Sequence, residues 1–157
     1  MTTRVRQILI GCGSGGLLAF ALYLGWSSQL VLELGLPPKQ TVANRVEGLL
    51  YAQRHVEILG GSVVAICGTG SMAPYIRKGD KPSDIVAYGL IGSTIFSEVK
   101  RGTVCIYAYG DIVAIHGAAA KSGEGWIMSG LHNSRSDILM TQKNFKGIVS
   151  KVIVWDN

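Results

Sequence analysis

Hydrophobic and polar residues change rhythm twice along this chain. From Gln7 to Leu32 there is no charged residue, and the apolar density peaks between Leu17 and Leu24. After Pro37-Pro38, which cannot continue a helix, apolar residues recur at helical intervals: Val42, Val46, Leu49, Leu50, Val56 and Leu59. Arg45, Glu47, Gln53, Arg54 and Glu57 fall between them, which predicts an amphipathic helix over Thr41–Leu59 with its apolar stripe in the core. Gly60-Gly61 ends it. Beyond that point short runs rich in Val and Ile alternate with Gly, Asp and Ser. Ser62–Cys67, Asp84–Tyr88, Thr103–Tyr107, Ile112–His116, Gly125–Met128 and Ile148–Trp155 read as strands. Serial short strands with glycine-rich turns predict a mainly β domain, a sheet or barrel.

The first segment changes the picture most. Its uncharged stretch exceeds the ~20 residues that span a bilayer. Arg4 and Arg6 precede it and would stay on the cytoplasmic side. A single-pass anchor with the β domain on the extracytoplasmic side is the expectation. Two alternatives stand beside it. A cleaved signal peptide lacks a good small-residue site near Ser27-Ser28, because Leu30–Leu36 continues apolar. A buried helix of a soluble or assembled protein is the other. Leu9-Ile10-Gly11-Cys12 imitates a lipidation site but has too few apolar residues before Cys12. The expected organisation is therefore a basic flank and anchor over 1–38, an amphipathic helix over 39–60 and a β domain over 61–157.

Composition narrows the class. Of 157 residues 48% are hydrophobic and only 16% charged, which excludes a disordered, charge-rich tail. The net charge of +5 is spread along the chain, with no run of like charges to argue for nucleic acid. Cys12, Cys67 and Cys105 have no zinc-ligand spacing. A Cys67–Cys105 disulfide would need an oxidising compartment. Two separately buried thiols are the expectation, because both lie in apolar runs.

One stretch carries chemistry. Val63-Val64-Ala65-Ile66-Cys67 leads into Gly68-Thr69-Gly70-Ser71-Met72-Ala73-Pro74. A glycine-flanked serine at the end of a strand can bring its backbone close to a substrate carbonyl. Serine still needs a neighbouring base to become a nucleophile. This Ser-Met-x-Pro context resembles the type I signal peptidase family and its relatives, the LexA-like self-cleaving repressors, over roughly 63–154. Gly102-Thr103-Val104-Cys105-Ile106-Tyr107 is similar to that family's second element. Ile112-Val113-Ala114-Ile115-His116 is similar to the strand that ends in its general base, in the histidine form. Ser129–Asp137 occupies the place of its acidic box, and Asn144–Val149 that of its final strand.

The resemblance implies a β catalytic domain that holds an extended peptide as an added strand. It implies Ser71 as nucleophile, His116 as base and Asp137 as the group orienting His116, with the Ser71 N–H and Thr69 hydroxyl binding the oxyanion. Histidine suits proton transfer near neutral pH. Met72 and Pro74 would shape the substrate pocket. Lys121 is the alternative base, since a buried lysine can also activate serine, although Lys121-Ser122-Gly123-Glu124-Gly125 reads as a turn. Lys100 precedes its strand and is a weaker choice. His55 and His132 read as surface residues. No metal or cofactor is implied, and the partners expected are a peptide or protein substrate and a membrane. Two departures stand out: Gly117 replaces an arginine, and Leu131 replaces the first acid of the box. They keep a second reading open, a catalytically inactive binding module on the same fold.

Overall fold

The computed structural model describes residues 35–133, 137 and 139–156. The expected anchor, Cys12 included, lies almost wholly outside the described residues. Among them, no helix is long and apolar enough to cross a membrane.

The described chain is mainly antiparallel β-sheet with one α-helix. In chain order the elements are β1 (Lys39–Val42), α1 (Arg45–Leu59), β2 (Ser62–Cys67), β3 (Ile85–Ser93), a short 3-10 turn (Phe96–Glu98), β4 (Val104–Tyr109), β5 (Ile112–Ser122), β6 (Gly125–Ser129), β7 (Leu139–Met140) and β8 (Phe145–Trp155). The strands form one sheet in the order β2-β3-β8-β4-β5-β6-β7. The long β8 has β3 along one edge. Its other edge is shared by β4, which meets Phe145–Ile148, and β1, which runs parallel to Val152–Trp155.

All six expected strands form. Five run longer than expected; in the longest of these the apolar alternation continues through glycines such as Gly89 and Gly147 that mark close packing rather than turns. The expectation for Thr41 and Val42 is corrected: they belong to β1, paired with Val154 and Trp155. The helix cannot begin so early because Asn44 caps it. The Asn44 carboxamide oxygen accepts the Glu47 N–H at 3.0 Å, and the Glu47 carboxylate accepts the Ala43 N–H at 2.9 Å.

The helix also turns a different face inward from the one expected. Gly48 and Ala52 are buried, while Val46, Leu49, Leu50, Ile58 and Leu59 are exposed. Small size decides this. A Cβ on Gly48 would come within 3.2 Å of the Trp155 ring, so the Gly48–Ala52–Val56 ridge lets helix and sheet approach most closely. Tyr88, Leu90, Ile153 and Trp155 fill the space beneath. The opposite face of β3 contributes Val86, Ala87 and Ile91 to a second cluster with Ile66, Met72, Ile76, Ile106 and Val152. Strand β3 is therefore covered on both faces, which explains its nearly continuous apolar sequence.

Candidate active site

Two tight devices place the reactive groups. The first is the loop after β2. The Gly68 N–H donates to the Asp84 carbonyl and the Gly79 N–H to the Gly68 carbonyl, at 2.8 and 2.9 Å. A Cβ on Gly68 would lie 2.3 Å from the Gly79 nitrogen, so only glycine lets these backbones cross. Beyond the crossing the chain turns through Gly70. The Ile76 N–H then reaches the Met72 carbonyl at 2.9 Å, holding Ser71 at the head of a helical turn.

The second device is the β4–β5 hairpin. Tyr109 pairs with Ile112, leaving Gly110-Asp111 as a two-residue loop, and Gly110 has φ +58°. Glycine at that first loop position suits the tight turns that match strand twist. The turn sets the register: Cys105 faces His116 and Tyr107 faces Ala114. Tyr107 and His116 are thus diagonal neighbours on one face of the ladder, within reach of each other.

Ser71, His116 and Asp137 come together as the sequence predicts. Ser71 Oγ lies 2.8 Å from His116 Nε2. On the other side of the ring, His116 Nδ1 meets Asp137 Oδ2 directly. Asp137 is itself held by its backbone N–H, which donates to the Met128 carbonyl at 2.7 Å. Thr69 Oγ1 is 3.2 Å from Ser71 Oγ and accepts the Ser71 N–H at 3.4 Å. The Thr69 hydroxyl thus stands beside the Ser71 backbone N–H.

Sequence reasoning missed a fourth group. Tyr107 is fully buried, and its hydroxyl donates to Asp137 Oδ2 at 2.9 Å and lies 3.1 Å from His116 Nδ1. Its position invited an apolar strand reading. Only the alternation that puts Tyr107 on the same face as His116 could have drawn attention to it.

The electrostatics agree with this wiring. Burial by itself would raise the Asp137 pKa. The His116 hydrogen bond and charge, with the Tyr107 hydroxyl, outweigh it and hold the carboxyl below its ordinary value. Burial, then the Asp137 charge and hydrogen bond, push the Tyr107 phenol well above its usual range, so it keeps its proton. Burial also pushes the Cys105 thiol up to about 12. Cys105 and Cys67 are both free. Cys67 is exposed, against expectation, because Ile66 takes the inward position of this edge strand.

The remaining expected residues separate clearly. Met72 is buried and walls the cleft at Ser71, whereas Pro74 is exposed on the turn and does not line it. Lys121 is a strand residue opposite Trp126, not part of a turn. Its exposed ammonium rests over the Trp126 and Phe96 rings at 5.0 and 5.8 Å and does not line the cleft. Gly117 is a buried sheet position between Val104 and Ser129. Leu131 packs against the Met72–Ile76 cluster, an apolar task that an acid would not perform. His132 is exposed, but its N–H donates to the Ser71 carbonyl at 2.9 Å. His55 is half-buried beside Tyr51.

The cleft has a volume of ≈ 260 Å³ and mostly apolar walls, among them Val64, Ile66, Ile76, Ile112 and Ile115. Two strands line it with incompletely paired edges. Among the described residues, strand β2 pairs only with β3, and the first half of β5 pairs only with β4, because β6 begins its pairing at Gly117. Among the described residues, no group of His, Cys, Asp and Glu side chains is arranged to hold a metal ion. Comparison with protein-family models, curated proteins and solved structures finds no match to this chain.

Proposed function

We propose that this chain is a serine endopeptidase of signal-peptidase type that cleaves extended peptide segments through an acyl-enzyme on Ser71. The observation that carries this reading is the contact of 2.8 Å between Ser71 Oγ and His116 Nε2, with Asp137 on the far nitrogen of the same ring. A hydroxyl, an imidazole and a carboxylate in that order form the constellation that activates serine on unrelated folds.

The chemistry follows from the positions. Ser71 Oγ attacks the scissile carbonyl carbon while its proton passes to His116 Nε2. Asp137 stabilises the imidazolium that results. The carbonyl oxygen becomes an oxyanion and takes the Ser71 N–H. The Thr69 hydroxyl, which accepts that N–H at rest, turns to donate to the same oxygen. The carbon–nitrogen bond breaks as His116 returns the proton to the leaving amine. A water then gives its proton to His116, its oxygen attacks the acyl carbon, and Ser71 leaves with the proton restored. The unpaired edges of β2 and β5 support an extended substrate added as a strand beside the serine.

The resemblance to signal peptidases and the uncharged Gln7–Leu32 stretch behind Arg4 and Arg6 support a single-pass anchor with the β domain on the extracytoplasmic side. The test of the enzyme reading is covalent labelling by a fluorophosphonate, which phosphonylates activated serines with loss of fluoride and needs no known substrate. The folded full-length protein should gain one label, on Ser71, and Ser71→Ala should gain none. Absence of labelling on folded protein would refute the reading and favour a binding module.

A further inference from the structure

The fourth member of the site has only one hydrogen to give. The Tyr107 phenol lies between the carboxylate oxygen Asp137 Oδ2 at 2.9 Å and the ring nitrogen His116 Nδ1 at 3.1 Å, which accepts only if it is bare. Being buried, the phenol has no solvent to turn to. An ionised carboxylate is the stronger acceptor, so the phenol hydrogen goes to Asp137. The carboxylate then has no hydrogen to offer the ring. The nitrogen facing it must supply one, so the neutral imidazole is protonated on Nδ1 and bare on Nε2. That is the tautomer that can take the Ser71 proton.

Without the carboxylate the same phenol acts in the opposite direction. Nδ1 becomes the acceptor left within its reach. An imidazole that accepts at Nδ1 carries its hydrogen on Nε2, pointing at Ser71 Oγ, and cannot act as a base. We propose that Tyr107 and Asp137 together set the tautomer of His116: Tyr107 supports the basic form while Asp137 holds its hydrogen and enforces the inactive form when Asp137 is removed. Tyr107 is a positioning residue in this scheme, because it acts through Asp137 and the ring. Its catalytic consequence rests on the peptidase reading, whereas the tautomer itself does not.

A purely structural Tyr107, packed among Cys105, Met128 and Met140, predicts that its loss adds to any other damage. The tautomer scheme predicts partial rescue. The experiment is nitrogen-15 NMR of the imidazoles in the full-length labelled chain, at a pH where they are neutral. His116 is assigned by its absence in His116→Gln. The wild type should show Nδ1–H and Asp137→Ala should show Nε2–H. The double variant Asp137→Ala/Tyr107→Phe should show a mixture. Its fluorophosphonate labelling should exceed that of Asp137→Ala by about five- to tenfold, the worth of one neutral hydrogen bond. Tyr107→Phe alone should keep Nδ1–H. If Asp137→Ala does not fold, Asp137→Val, closer in volume, takes its place.

Nδ1–H persisting without the carboxylate, or a double variant no different from the single one, would overturn the proposal. A tautomer that switches as described in a protein that never labels would leave this inference standing and remove the peptidase reading. Normal labelling with an unswitched tautomer would do the reverse.

Discussion

A side chain on Gly130 would collide with Ser71: its Cβ would lie 2.5 Å from the Ser71 carbonyl oxygen. The turn after β6 lies against the Ser71 loop, and the His132 N–H donates to the same oxygen. This contact joins the Gly130–His132 turn to Ser71 through backbone alone. Gly130→Ala should therefore push Ser71 out of line with His116 without dismantling the sheet. Fluorophosphonate labelling should fall by at least ~100-fold, the scale on which misplacement of reacting groups acts. The stability should fall only by what local overpacking costs, about 1–3 kcal/mol. Wild-type labelling would show that the turn yields instead.

His116, not Lys121, is expected to serve Ser71. His116→Ala should slow labelling by a factor of ~100 to 10,000, the usual worth of a general base. Lys121→Ala should leave the rate unchanged, because that ammonium rests on Trp126 and Phe96. Reversal of the two effects would reassign the base.

Thr69 should matter through its hydroxyl rather than its shape. Thr69→Val keeps the volume and removes the donor, and should cost labelling ~100- to 1,000-fold if the hydroxyl stabilises the oxyanion. Thr69→Ser should restore most of the rate. A loss in Thr69→Ser with none in Thr69→Val would point to the methyl group and to packing instead.

Asp137 gives a signed pH dependence of stability. Its folded pKa is lowered, so its contribution is present above the unfolded value of ~3.9 and is lost as pH falls through the folded value. Melting temperatures of the wild type and Asp137→Asn should differ at neutral pH and converge as the pH drops below ~4. A gap that stays constant to the acid end would mean that the carboxylate charge is not what stabilises the site.

The uncharged Gln7–Leu32 stretch is expected to hold the protein in a membrane. The full-length chain should stay in the membrane pellet after an alkaline carbonate wash. Recovery in the supernatant would reject the anchor.

The strands and the candidate serine were legible because they depend on local pattern. Val63–Cys67 and Ile148–Trp155 are β-rich runs, and Gly-Ser-Met-x-Pro is a contiguous motif. The helix was legible in kind but not in orientation. Its periodicity marks the large apolar stripe, but the buried face was chosen by the close approach of Gly48 to Trp155, a partner far along the chain. Lys121 reads as a turn from its glycine neighbours, yet pairing with Trp126 draws it into β5.

By itself the amino-acid order determined the mainly β character and marked Ser71, His116 and Asp137 as candidates. Those features follow from backbone preference and from neighbours a few residues away. Only the tertiary structure decided which groups meet. Ser71 and His116 are brought together from distant strands by the sheet register and the Gly68–Gly79 crossing. Tyr107 joins them because one face of the β4–β5 ladder puts a phenol diagonally beside the imidazole. Such contacts are set by how strands pair and pack over long sequence separations, and no local pattern encodes them.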